Sequence, residues 1–149
     1  STPPPRPAGR AVPAAGPPSL QGVKILFVDD EAAARELAEL MLGDLGATVE
    51  TAESVEAALG RLADFVPDVV VSDIAMPERD GLDLIRAIRA EASPARRVPA
   101  IALTAYARAE DVQHALAAGF TTHLPKPAGA EPLAALIATL ARTSRATPR

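Results

Sequence analysis

Six residues carry chemistry. Asp29, Asp30 and Glu31 follow the apolar run ILFV, and Asp73 closes DVVVSD. Thr104 closes PAIALT, and Lys126 stands between prolines in PKP. Gathered in one place, the Asp side chains repel one another unless a cation joins them. Hard carboxylate oxygens with open positions suit Mg²⁺ (or Mn²⁺), which keeps several waters and takes one or two carboxylates plus a phosphate oxygen. A carboxylate beside such an ion can act as a nucleophile and form an aspartyl-phosphate. Transfer of a phosphoryl group needs positioning and neutralisation of its oxygens. Lys126 offers positive charge for that task, and Thr104 offers a hydroxyl donor. Each residue alone also has a structural role: Asp30 as a helix cap, Asp73 in a turn, Thr104 in a strand, Lys126 as a solvated charge.

The elements that would bring these residues together are legible as periodicity. Apolar runs VKILFV, ATVETA, DVVVSD, PAIALTA and TTHL read as strands. Between and after them come five helical patterns. The first places Leu37, Leu40, Met41 and Leu45 at helical spacing, with Gly46 as its stop; the second has Ser54 as N-cap. The third places Leu82, Ile85 and Ile88 on one face. The fourth ends at Gly119, and the fifth carries Pro132 in its first turn, where a missing N–H costs nothing. Glu31 reads as an acid in the first turn of the first helix. Alternating strands and helices predict an α/β fold, a doubly wound five-stranded parallel sheet. Such sheets bind ligands beyond the carboxyl ends of their strands, where all six residues fall.

Composition narrows the alternatives. Aromatics are 3% of the 149 residues, so the core must be aliphatic. A net charge of -4 leaves no global basic footprint for nucleic acid, and the absence of Cys excludes disulfides and thiolate chemistry. No run of 18 apolar residues and no secretory leader is present, which predicts a cytoplasmic domain without direct membrane contact. Residues 1–21 contain seven prolines and read as a flexible linker, residues 22–142 as the domain, and 143–149 as a disordered tail.

The ordered set VDDE, SDIAMPERDG, LTA and KP resembles the receiver domain of two-component response regulators, over about Val23 to Arg142. The resemblance implies a flavodoxin-like strand order 2-1-3-4-5 and a phosphorelay function. Asp73 is then the phosphoacceptor. Asp30 binds Mg²⁺ directly, Asp29 does so through water, and the carbonyl of Ala75 completes the protein ligands with Asp73. Thr104 and Lys126 contact the phosphoryl group, and the Lys126–Pro127 bond is expected to be cis. His123 takes the switch position, while Tyr106 and Ala75 tune phosphoryl lifetime. The implied partner is a histidine kinase or a histidine phosphotransfer domain. The switched face comprises the fourth helix, fifth strand and fifth helix, and it also suits a monomer or weak homodimer. The Pro-rich lead-in and LQGVKILFVDDE are similar to the junction before the C-terminal receiver of a hybrid sensor histidine kinase, which implies the cytoplasmic part of a membrane-bound sensor; a free single-domain regulator is the alternative. With only TSRATPR after the last helix, no DNA-binding effector domain is expected on this chain. A Mg²⁺-dependent phosphohydrolase would want an acid where Ala75 stands. A nucleotide- or flavin-binding module would want a Gly-rich turn where DDEAAAR stands.

Overall fold

The computed structural model describes residues 19–76, 80–90, 93, 95–105, 109–126 and 128–146. Strands β1 (Lys24–Val28), β2 (Thr48–Ala52), β3 (Val69–Asp73), β4 (Ala100–Thr104) and β5 (Thr122–Pro125) alternate with helices α1 (Ala32–Asp44), α2 (Val55–Leu62), α3 (Gly81–Ile88), α4 (Ala109–Ala118) and α5 (Ala130–Ala146). All neighbouring strands are parallel, in the order β2-β1-β3-β4-β5.

The continuous apolar runs follow from burial on both faces. Ile25, Phe27, Val69, Val71, Ile101 and Leu103 face α1 and α5, packing with Ala38, Leu42, Leu133 and Ile137. Their neighbours Leu26, Val28, Val70, Ala100 and Ala102 face the other way, against Val55, Leu62, Leu84, Ile85 and Ile88. A period of two within each strand thus feeds two cores. Ser54 caps α2 through the N–H of Ala57 at 3.1 Å. Asp80 and Asp83 close a reciprocal capping box on α3, with N–H to carboxylate distances of 3.1 and 3.3 Å. Gly46 ends α1 with φ +105°, a conformation that suits glycine.

Several sequence expectations are corrected. Leu37 and Leu40 are 55% and 67% exposed, whereas Ala38 and Leu42 fill the core. The α1 stripe is therefore displaced by one residue, because the small Ala38 lets the helix sit close to the sheet. On α3 the buried set is Leu84, Ile85 and Ile88, with Leu82 only half-buried. Glu31 is the N-cap residue of α1 and not in its first turn, and its side chain makes no capping bond. Leu20, placed in the linker by the sequence, is fully buried and donates its N–H to Leu45 at 2.8 Å. Helix α5 continues to Ala146, past residue 142. Residues 1–18, Tyr106, Pro127 and 147–149 lie outside the described residues, so the bulk of the linker, the Tyr106 position and the Lys126–Pro127 bond do as well.

One side chain ties the far end of the sheet together. Arg89, C-cap of α3, donates to the carbonyls of Gly119 (3.0 Å), Arg96 (3.0 Å) and Val98 (2.6 Å). It thereby joins the ends of α3 and α4 to the segment entering β4. Arg89→Ala should cost about 2–4 kcal/mol in urea unfolding, since charged hydrogen bonds are lost and carbonyls are left without donors. A loss under about 0.5 kcal/mol would rule out this role.

Candidate functional site

Strand β1 connects onward to its edge neighbour β2, and the chain then returns to β3 on the other side. The crossovers therefore diverge between β1 and β3, which opens a crevice at their carboxyl ends. Asp29 and Asp30 leave β1 there, and Asp73 ends β3. One carboxylate oxygen from each of these three residues lies within 4.8 Å of the others. Asp29 and Asp73 are buried and Asp30 is exposed.

The β1–α1 loop is held so that this cluster persists. Asp29 Oδ1 accepts from the Glu31 N–H at 2.9 Å, and Arg35 donates to the Asp29 carbonyl at 2.8 Å. Asp29 Oδ2 is buried and has no hydrogen-bond partner among the described residues. Asp73 Oδ1 accepts from the Ala75 N–H at 3.3 Å. Lys126 arrives from the end of β5 and donates to Asp73 Oδ2 at 3.1 Å; its Nζ is 3.6 Å from Asp29 Oδ2. The Lys126 N–H is fixed in turn by the Thr104 carbonyl at 2.7 Å.

Burial raises the Asp73 pKa above the usual carboxylate range. Lys126 opposes this through its hydrogen bond and charge and the Ala75 N–H opposes it too, while the Asp29 charge reinforces it. An ion pair alone would lower an acid's pKa; here one ammonium, itself part-exposed, does not offset the burial of the carboxylate. For Lys126, burial acts to lower the pKa, but the hydrogen bond and charge of Asp73, with the charges of Asp29 and Glu31, outweigh it and raise the pKa. The site thus holds an excess of negative charge that one ammonium leaves uncompensated. Hard oxygen donors, a buried carboxylate oxygen without a hydrogen bond among the described residues and open access at Asp30 fit a divalent cation such as Mg²⁺.

The remaining sequence candidates lie around this cluster. Thr104 is buried at the end of β4, and its Oγ1 has no partner among the described residues. It borders a cavity of about 230 Å³ with Ala75, Asp111 and His114. Ala75 itself is exposed. His123 is half-buried in the edge strand β5, in register with Ala102. On the other face, a groove of about 220 Å³ runs from Asp29 and Lys126 to Ala34, Leu37 and Met41 of α1. Sequence reasoning missed Arg35, Ser72 and Gly81. Ser72 donates to the Asp73 carbonyl, and Gly81 packs against the same atom. The available signal was a lone hydroxyl in an otherwise apolar run, and a glycine at a helix start.

The family model for the response regulator receiver domain matches residues 25–138. A 14.6 kDa protein of Leptolyngbya boryana is 48% identical over 109 residues, which cover 73% of this chain and 82% of that protein. The two-component response regulator PhoP of Pseudomonas aeruginosa is 36% identical over 122 residues, covering 82% of this chain and 53% of PhoP. This chain therefore spans about half the length of that regulator. Among solved structures, the chemotaxis protein CheY4 of Vibrio cholerae superposes with a TM-score of 0.75 at 31% identity, covering 79% of this chain and 98% of CheY4. A signal receiver domain of a histidine kinase from Syntrophus aciditrophicus gives a TM-score of 0.75 at 29% identity, covering 85% and 96%. With the family model matched across the sheet and the acidic cluster at its carboxyl edge, the chain belongs to the response regulator receiver domain family.

Proposed function

We propose that this receiver accepts a phosphoryl group on Asp73 from a phosphohistidine. The observation that carries this reading is the clustering of Asp29, Asp30 and Asp73, with Lys126 paired to Asp29 and Asp73, at the ends of three strands. An Asp73 carboxylate oxygen forms the new O–P bond as the P–N bond of the donor breaks. The electron pair stays on the imidazole nitrogen, and the ring takes up a proton. Asp30 and Asp73, the Ala75 carbonyl and, through water, Asp29 would hold Mg²⁺ or Mn²⁺, which supplies neutralising charge when bound. Lys126 is already aimed at Asp73 and supplies charge from the protein. The Thr104 hydroxyl, without a partner among the described residues, would donate to a phosphoryl oxygen.

Phosphorylation adds about -1.5 to -2 charge and three acceptor oxygens. Movement of Thr104 toward them, followed by His123, would shift the population of conformations on the face formed by α4, β5 and α5. That face would meet output partners or a second copy in a weak dimer. Tyr106 and Ala75 tune how long the phosphoryl group survives.

The donor is a histidine kinase or a histidine phosphotransfer domain. The exposed Leu37 and Leu40 beside the groove that opens on Lys126 support contact with a protein donor at α1. Leu40→Asp should slow transfer from a phosphorylated kinase at least about tenfold, roughly the loss of one well-buried apolar contact. It should leave uptake from acetyl phosphate unchanged. Equal slowing with both donors would remove α1 from the docking surface.

For its context, residues from Leu20 to Ala146 form the receiver, with a linker before it, as part of a cytoplasmic hybrid kinase. The similar receiver from a Syntrophus histidine kinase supports this. A stand-alone regulator is the second reading, favoured by the 82% coverage of the Leptolyngbya protein. The reading frame surrounding this chain distinguishes them. The function itself is tested by radiolabelled phosphate transfer from autophosphorylated histidine kinases; label that resists alkali and hydroxylamine, or that persists on Asp73→Asn, would reject the aspartyl-phosphate at Asp73.

A further inference from the structure

Strand β3 reads VVVSD, and the residue before the acceptor is the exception in its apolar run. Ser72 is fully buried, in register with Val28 and Ala102. An aliphatic residue there would have no polar atom to satisfy, so a hydroxyl needs a reason. Its Oγ donates to the carbonyl of Asp73 at 2.9 Å.

The same carbonyl also meets Gly81. A Cβ on Gly81 would lie 2.5 Å from the Asp73 carbonyl oxygen, 2.8 Å from Ile74 Cα and 3.3 Å from the Asp73 carbonyl carbon. All three are backbone atoms at the edge of the central sheet and cannot swing aside. Gly81 also donates its N–H to the Ile74 carbonyl at 2.8 Å, and Ile74 donates to Leu103 at 3.2 Å. The capping box of Asp80 and Asp83 fixes the first turn of α3 that presents Gly81. The Asp73–Ile74 peptide is therefore held by a hydroxyl and closely approached by a bare α-carbon. That peptide leads directly to the Ala75 N–H, which holds Asp73 Oδ1.

We infer that Ser72 and Gly81 are positioning residues for the phosphoacceptor: they set the backbone from which the Asp73 carboxylate and the Ala75 N–H are aimed at each other. The inference rests on the reading of Asp73 as acceptor. Its physical basis is that displacement of reacting groups by an ångström can cost about 100-fold in rate. Loss of one of two restraints is expected to cost roughly a tenth of that.

Ser72→Ala removes the hydroxyl, and Ser72→Cys keeps the volume with only a weak donor. Both variants should take up phosphate from acetyl phosphate about tenfold more slowly than wild type at saturating Mg²⁺. Both should bind Mn²⁺, followed by electron paramagnetic resonance, more weakly, while unfolding cooperatively. Gly81→Ala should show the same two losses, more strongly. A purely structural role would lower the unfolding midpoint but leave the rate and the Mn²⁺ affinity of the folded protein unchanged, and that result overturns the inference. The isosteric Cys variant keeps the test open if the Ala variant does not fold. Wild-type protein that takes up no phosphate would overturn the acceptor reading and this inference together. Wild-type uptake matched by both Ser72 variants would overturn the inference alone.

Discussion

Asp73→Asn should incorporate no phosphate from acetyl phosphate and Mg²⁺, and without divalent cations it should be more stable than wild type at neutral pH. The first half follows from chemistry. Asn keeps the shape and can still accept from Lys126 and the Ala75 N–H, but its amide is not a nucleophile for phosphorus. The second half follows from linkage. The Asp73 pKa is raised in the folded protein, by burial above all and then by Asp29, despite Lys126 and Ala75. The native state therefore binds this proton more tightly than the unfolded chain. Stability from the group is fully present below the unfolded carboxylate pKa. It declines as pH rises from there through the raised folded value. At pH 7, above the unfolded carboxylate pKa, the group is thus a net cost to folding, and a neutral isostere removes it. The unfolding midpoint should therefore rise, by about 2–4 °C for each kcal/mol that the ionised group costs. Saturating Mg²⁺ should narrow the gap by stabilising wild type through binding to the native state. Thermal scans with chelator and with Mg²⁺, at pH 3 and pH 7, check this. An Asn variant less stable than wild type at pH 7 in chelator would sink the electrostatic account, and labelled phosphate on it would move the acceptor elsewhere.

Lys126→Ala should produce two changes of opposite sign. Phosphate uptake should fall about 100-fold, the scale on which a preorganised donor to a developing oxyanion matters. Affinity for Mn²⁺ should rise, because the ammonium at 3.1 Å from Asp73 Oδ2 and 3.6 Å from Asp29 Oδ2 competes with the cation for the same charge. A general disruption of the site would weaken both. Lys126→Arg keeps the charge but replaces a compact ammonium with a planar fork. It should recover the cation affinity of wild type more fully than its phosphorylation rate. Equal rates for wild type and Lys126→Ala would show that Lys126 does not act in transfer.

These predictions depend on distances that the order of residues does not contain. Lys126 and Asp73 are 53 residues apart, and Asp29 lies 44 before Asp73. That all of them would end at one sheet edge was nevertheless legible. Apolar runs bounded by helical patterns leave a parallel sheet as the way to bury both faces of every strand, and the polar residues closing each run then share an edge. The structure places Asp29, Asp30, Asp73, Thr104 and Lys126 at that edge, each just beyond or at the end of its strand.

The sequence by itself determined the alternation of elements, the two-sided core and the chemistry available at the strand ends. These depend on local periodicity and residue type. The tertiary structure decided which of several adjacent apolar residues turned inward. Helix α1 offers Leu37, Ala38, Leu40 and Leu42 within six positions, and its own period permits more than one stripe. Close packing on the sheet chose Ala38 and Leu42 and left Leu37 and Leu40 outside. It also decided that Asp29 is buried and Asp30 open, although they are neighbours of one type, because successive residues leaving a strand point to opposite sides. Ser72 and Gly81 acquired their meaning there too: their contact with one carbonyl exists only once α3 docks against the end of β3.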